Sequence, residues 1–194
     1  LLSIPEKVYT RMILWRIKKQ VDAVLREEQA GFRSGRSCTD QIFTLRRILE
    51  QALEHKTPLI INFIDFEKAF DSLDRESLWK ILAVYGIPPK YIRVISNLYE
   101  DSECCVKVEN DHTQWFKILT GVKQGCVLSP VLFGLAMDWL MRQTIGVATR
   151  GLKWTGTQET LEDLDFADDI ALLSVSAEDM QLKTDRLYEM GQRI

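Results

Sequence analysis

The chain has 194 residues, 46% hydrophobic and 27% charged, with a formal net charge of −3. That is ordinary usage for a folded domain with one large core, or two lobes sharing one, and no stretch approaches the roughly 18 apolar residues that a membrane-spanning helix needs. Cys38, Cys104, Cys105 and Cys126 show no C-x-x-C spacing, which argues against a zinc ribbon or a disulfide framework and leads us to expect a reduced, intracellular setting. The N-terminal LLSIPEKVYTRMILWRIKK mixes charge into its apolar residues and reads as neither signal peptide nor anchor. It begins without Met, so a piece of a longer protein is expected.

Charge is unevenly spread. Residues 1–60 hold eleven Lys/Arg against seven Asp/Glu, whereas the remainder holds fourteen against twenty-one. A basic first lobe and an acidic second one suit phosphates on one side and metal on the other, though scattered solvated charge explains the numbers equally well.

In chain order, Ser3, Pro5 and Glu6 form a helix-start pattern, followed by an apolar stripe to about residue 28. QAGFRSGRSCTD is a Gly/Ser/Arg loop, after which Thr39 or Asp40 is expected to cap a second helix through Leu53. TPLIINFID is apolar on both faces and predicts a central buried strand ending at Asp65. Asp74 caps a helix that Gly86 and Pro88 stop, and Pro89 opens another to about Glu100. CCVKVENDHTQWFKIL reads as a hairpin with an Asn-Asp turn. TGVKQGCVLSP is a loop, and Ser129-Pro130 starts a strongly apolar helix to about Arg142. A strand near 151–155, a hairpin around Asp168-Asp169 and a helix from Ser176 complete an α+β pattern without repeats.

LEDLDFADDIALL sets five carboxylates, and no basic residue, against apolar strand. A pair such as Asp168-Asp169 most often marks an exposed turn. Asp65, however, also ends an apolar strand. If the two strands are neighbours, three carboxylates converge, and their repulsion is relieved either by protonation or by a cation. A hard divalent ion such as Mg²⁺ fits oxygen ligands of this kind, and such sites serve phosphoryl or nucleotidyl transfer.

Four blocks then occur in series: EQAGFRSGRSCTDQI, FIDFEKAFDSLDRESLW, GVKQGCVLSPVLFGLAMDWL and FADDIALL. Their order and spacing resemble the reverse transcriptases of non-LTR (LINE-type) retrotransposons, nearly end to end. The resemblance implies a right-hand polymerase fold, with fingers-like residues 1–58 and palm residues 59–194, stopping before the thumb. It implies an RNA-directed DNA polymerase using two Mg²⁺ ions, with Mn²⁺ as a substitute. Asp65, Asp168 and Asp169 then match the catalytic aspartates, with the Phe66 carbonyl as a further metal ligand. Phe166 stands where Tyr is commoner in the [YF]-x-D-D turn.

By the same resemblance, Ala69 and its neighbours offer backbone N–H groups to a triphosphate, and Phe70 is a steric gate against the ribose 2′-OH. Gln124 and Gly125 lie along the nucleotide, and Arg33 and Arg36 contact template phosphates. The implied partners are an RNA template, a DNA primer, dNTPs and the rest of a polyprotein bearing thumb and endonuclease; no membrane is implied. The place of work that the resemblance implies is the nuclear site of integration. An Arg segment upstream of LLSIP and a Lys strand after YEMGQRI are expected outside this chain, so the piece alone is expected to polymerise weakly or not at all. Two rivals stand beside this reading: a decayed relative that only binds RNA or protein, and a Mg²⁺-dependent phosphoaspartate domain of receiver type.

Overall fold

The computed structural model describes residues 2–109, 111–145, 151–153 and 160–194. Helix α1 (Ile4–Val24) starts as the capping pattern requires, with Ser3 Oγ accepting from the Glu6 amide at 3.3 Å. It ends short of residue 28 because Leu25 is extended, which frees the next residues to reach the sheet. Helix α2 (Cys38–Glu54) is capped by Ser37 rather than by Thr39 or Asp40. Asp40 instead reciprocates: its amide donates to Ser37 Oγ and its carboxylate accepts from the Ser37 amide, both at 3.1 Å, a capping box.

Strand β1 (Ile60–Ile64), the short helix α3 (Ala69–Ser72), α4 (Arg75–Val84) and α5 (Pro89–Tyr99) follow. Asp74 caps α4 by accepting from the Ser77 amide at 2.7 Å. The expected hairpin forms as two short ladders, β3 (Lys107–Val108) with β4 (Asp111–His112) and β2 (Glu103–Cys104) with β5 (Phe116–Lys117). Asn110 of its expected turn lies outside the described residues, and Asp111 is already strand. Helix α6 (Ser129–Ile145) is buried along most of its length. Strand β6 (Leu152–Lys153) pairs with β7 (Thr160–Leu161), and positions 154–155 of the expected strand lie outside the described residues. Strands β8 (Asp163–Phe166) and β9 (Asp169–Ser174) form the late hairpin, and α7 (Ala177–Gly191) follows its Ser176 cap.

The main sheet has the order β1-β9-β8 and is antiparallel throughout. The receiver-type rival requires a parallel, doubly wound sheet and is removed by this topology. One expectation is corrected. β1 is an outer strand of this sheet, β9 is central, and Phe63 of β1 is 69% exposed. A strand apolar on both faces reads as central from sequence, but here one face meets helices and the other lines an open groove.

Two cores flank the sheet. Ile170 and Leu172 face a large core shared with α1, α4, α5, α6 and α7, including Ile17, Leu82, Ile95, Leu132, Leu140 and Leu187. Ala171 and Leu173 face a smaller core with Leu164 and, from α2, Ile48. Successive residues of β9 thus serve opposite faces. Because α1 packs in the same core as α6, residues on both sides of position 58 share one interior. Among the described residues, no helix is long and apolar enough to cross a membrane.

Candidate active site

The β1–β9 ladder ends with Ile64 opposite Ile170. Continuing the same register by one step sets Asp65 beside Asp169. Directly opposed antiparallel residues hold their Cβ atoms roughly 4.5–5.5 Å apart, so two acids from distant parts of the chain become neighbours. On the other side, Phe166 pairs with Asp169. The hairpin loop is therefore two residues, Ala167 and Asp168, with Ala167 at φ +59°. Asp168 lies in the turn, as expected, and Asp169 opens β9.

By strand alternation, Asp65 and Asp169 share the face of Phe63 and Ala171, on the α2 side. There they line a groove of about 230 Å³ together with Gln41, Ile42, Phe63 and Phe166. Asp65 and Asp169 are exposed and Asp168 is half-buried. Phe66 turns to the opposite face and packs against the main core. Among the described residues, no three His, Cys, Asp or Glu side chains cluster tightly enough to form a ready-made metal cage.

A second group assembles around α3. Ala69 is buried at its start, following Lys68 in the left-handed region. Phe70 stacks on Phe133 of α6, with centroids 4.4 Å apart and planes at 12°, and meets Phe32 edge-on at 6.1 Å. The loop before α6 folds onto α3: the Val122 amide donates to the Phe70 carbonyl and the Gly121 amide to the Leu73 carbonyl, both at 2.8 Å. Gly121 has φ +77°, and a Cβ there would meet Asp71 Cα at 2.6 Å, so no other residue fits. Gln124 donates to the Asp71 carboxylate at 3.1 and 3.2 Å. Gly125 has φ +81°, and among the described residues no atom lies within 4 Å of where a Cβ would stand. Arg75 holds this loop by donating to the carbonyls of Tyr99, Ile118, Thr120 and Gly121 at 2.8–3.2 Å. Burial lowers its pKa.

The two loop arginines differ. Arg33 is turned into the protein, with Nε on Asp22 at 2.9 Å and its other nitrogens on the carbonyls of Asp22, Arg26 and Gln29. Its side chain is only 8% exposed. Arg36 is more open, pairing with Glu27 at the surface.

The remaining acids of LEDLDFADDIALL find cations that sequence distance concealed. Glu162 pairs with buried Lys183 of α7. Asp163 takes both terminal nitrogens of Arg26 at 3.1 and 2.8 Å, and Arg26 also reaches Asp165. The Arg26 amide donates to Asp138 of α6 at 2.8 Å, and Asp138 further accepts from Tyr85 and from Arg142 Nε. Asp138, Asp163 and Asp165 are at most 1% exposed. Burial opposes the charge on Arg26, but Asp163, then Asp165 and Glu28, outweigh it and raise its pKa. Burial, then the neighbouring Asp163, push the Asp165 carboxyl well above the usual range. Among the described residues its Oδ1 is buried without a hydrogen-bond partner, the natural seat for a proton. Burial, and then Asp138, likewise raise Tyr85. The residues missed by sequence reasoning are Gln29, Arg26, Asp138, Asp163, Asp165 and Arg75. The available signal was an acidic strand alternating Asp163 and Asp165 toward one face, which demanded a buried cation.

Comparison with known proteins gives the family. The family model for reverse transcriptase (RNA-dependent DNA polymerase) matches residues 1–193. The Pol polyprotein of the Drosophila melanogaster type-2 retrotransposable element R2DM is 32% identical over 164 residues, which cover 83% of this chain and 15% of that protein. The Xenopus laevis transposon TX1 149 kDa protein is 29% identical over 185 residues, covering 93% and 14%. The chain therefore spans about one seventh of the length of these relatives. Among solved structures, apo telomerase from Candida tropicalis, truncated from the C-terminal domain, gives a TM-score of 0.65 over 91% of this chain and 36% of that one, at 21% identity. Candida tropicalis telomerase with the TWJ fragment of telomeric RNA gives 0.67 over 92% and 31%, at 18% identity. At those identities the likeness is one of fold, the right-hand fingers-and-palm arrangement. The chain belongs to the reverse transcriptase family, within its non-LTR retrotransposon branch.

Proposed function

We propose that the chain is the catalytic core of an RNA-directed DNA polymerase, joining dNTPs to a primer 3′-OH on an RNA template. The observation that carries this reading is the strand register setting Asp65 beside Asp169, with Asp168 in the adjoining turn. The primer 3′ oxygen bonds to the α-phosphorus as the bond from that phosphorus to the oxygen bridging to the β-phosphate breaks, releasing pyrophosphate. The primer's hydroxyl proton passes to solvent.

The donor set fits Mg²⁺, two ions in this reading, with Mn²⁺ as a substitute. Mg²⁺ takes one or two carboxylates and completes its shell with water and substrate phosphates, so no all-protein cage is required. Asp65, Asp168, Asp169 and the Phe66 carbonyl would hold it. When bound, it supplies Lewis-acid stabilisation of the phosphoryl oxygens and a lower pKa for the attacking hydroxyl. The chain's own contribution is positioning. Ala69 and its neighbours lie where backbone amides meet a triphosphate, Gln124 and Gly125 sit across α3 from them, and Phe70 is a wall behind the sugar. Template contact rests with Arg36, because Arg33 is engaged within the protein. Residues 1–58 act as the fingers-like region and 59–194 as the palm. The core works inside a larger polyprotein, a setting that the relatives' names, Pol polyproteins of retrotransposable elements, support; the thumb, the endonuclease and the nuclear site of integration complete the proposal.

The test is primer extension by the full-length parent protein on an RNA template. Wild type is expected to extend with dNTPs and Asp168→Asn is not. A wild type that extends no template overturns the polymerase reading and leaves the decayed relative. The Phe70 assignment carries its own expectation. Its ring is braced by Phe133 and Phe32, so Phe70→Ala opens space without a replacement wall. Preference for dNTP over rNTP, measured as the ratio of kcat/KM values, is expected to fall at least about tenfold. An unchanged ratio would make Phe70 a packing residue only.

A further inference from the structure

The turn bearing Asp168 has an unusual support. Ala167 sits at φ +59°, a conformation that strains a residue with a side chain by on the order of 1–2 kcal/mol. Gln29 is 1% exposed and closes on that one residue. Its Oε1 accepts from the Ala167 amide at 2.9 Å, and its Nε2 donates to the Ala167 carbonyl at 3.3 Å. A side-chain amide thus supplies the acceptor and donor that a neighbouring strand's peptide would offer. The same oxygen accepts from the Gly31 amide at 2.7 Å, which fixes the orientation of the Gln29 amide.

The backbone around Gln29 prolongs this pairing along β8. Gln29 bridges Asp165 in parallel fashion, the Ala30 amide donates to the Asp165 carbonyl at 2.9 Å, and the Asp165 amide donates to the Glu28 carbonyl at 3.2 Å. Gly31 passes beneath the turn so closely that a Cβ there would lie 2.2 Å from the Ala167 nitrogen. Two side-chain bonds to Ala167, two backbone bonds at Asp165 just before it and one obligatory glycine therefore support a turn that a two-residue hairpin would ordinarily form unaided.

We propose that Gln29 is a positioning residue: its amide locks the left-handed Ala167 and so presets the direction in which Asp168 and Asp169 leave the turn. This inference rests on the polymerase reading above. Gln29 touches no substrate; it acts through the Ala167 backbone alone.

The experiment uses the full-length protein with Gln29→Ala, Gln29→Glu and the double variant Gln29→Ala/Ala167→Gly. Three quantities are read: the melting temperature, Mn²⁺ affinity without substrate by electron paramagnetic resonance, and kcat and KM for dNTP. Outer supports of ligating carboxylates typically matter 10–100-fold for metal affinity or activity. Gln29→Ala is accordingly expected to weaken Mn²⁺ binding and lower kcat by about 10–100-fold, with KM for dNTP within about threefold of wild type. Gln29→Glu keeps the acceptor for the Ala167 amide and is expected to lie in between. Glycine adopts positive φ without strain, so the double variant is expected to recover a large part of both losses.

If Gln29→Ala does not fold, Gln29→Glu decides the matter by the same Mn²⁺ and kcat readouts. Wild-type Mn²⁺ affinity and kcat in the folded variant, or a loss that Ala167→Gly fails to relieve, overturn the proposal. A wild-type protein that neither binds Mn²⁺ nor extends a primer overturns the polymerase reading instead, so the two failures are told apart.

Discussion

Replacing Arg26 with Ala is expected to destabilise the 194-residue chain by about 3–5 kcal/mol, the range found when one partner of a buried ion pair is removed. In a chain of this size that corresponds to a fall in melting temperature of roughly 10 °C. The reason is what remains behind. Asp138, Asp163 and Asp165 are almost fully buried, and Arg26 donates to all three through its side chain or its amide. The amide bond to Asp138 survives truncation, and Arg142 still pairs with that carboxylate. Among the described residues, Asp163 and Asp165 lose the one cation they pair with. Asp165 then faces Asp163 in a dry interior, and desolvation and the neighbouring charge both disfavour ionisation of Asp165.

The sign of the pH dependence follows. Asp165, whose folded-state pKa burial already holds above its unfolded value, supports the fold below the unfolded carboxylate range, near pH 4, and that support is lost as pH rises through the folded value. The deficit of Arg26→Ala relative to wild type is therefore expected to be larger at pH 8 than at pH 5, read by urea unfolding at each pH. A deficit independent of pH, or below about 1 kcal/mol, would mean that the three carboxylates are satisfied by other groups.

How far the sequence showed all this depends on the reach of each feature. Local chemistry was legible. The Ser3 and Asp74 caps, the Gly86 stop and the apolar α6 each follow from a few adjacent residues, and the structure places them as expected. The pairing of Asp65 with the late hairpin was legible as a conditional: two apolar strands ending in acid made it worth asking whether they were neighbours. What could not be read was anything set by long-range partners. β1 looked central because a two-faced apolar strand does not reveal whether its open side is covered by another strand. The apparent absence of a counterion in residues 161–173 was an absence only within that window; Arg26 and Lys183 arrive from α1's end and from α7. Arg33 looked like a phosphate ligand because an arginine in a glycine loop gives no sign of which way it turns. Gln29 was invisible because a lone glutamine has no pattern, and its meaning appears only once Ala167 is seen at positive φ.

The five acids of residues 162–169 supply the strongest expectation, because neighbours in sequence should fail in opposite ways. Asp169 is exposed and Asp168 half-buried in the turn. Asp168→Asn and Asp169→Asn are expected to change stability by no more than about 0.5 kcal/mol, the usual range for surface positions. Each is expected to lower RNA-templated dNTP incorporation by the full-length protein by ~10³-fold or more, beyond the loss of one preorganised electrostatic contact. Asp163→Ala inverts the pattern. It removes the two-pronged partner of Arg26 and leaves a buried guanidinium beside a carboxyl that is already raised, a loss of about 3 kcal/mol or more. Asp165→Asn separates charge from shape. The amide oxygen still accepts from Arg26, and the NH₂ takes the place of the proton that burial and Asp163 already favour. It is expected within about 1 kcal/mol of wild type, with a flatter dependence of stability on pH. Asp168→Asn with full incorporation, or Asp165→Asn as damaging to the fold as Asp163→Ala, would show that the alternation of β8 and its turn does not divide these acids between chemistry and architecture.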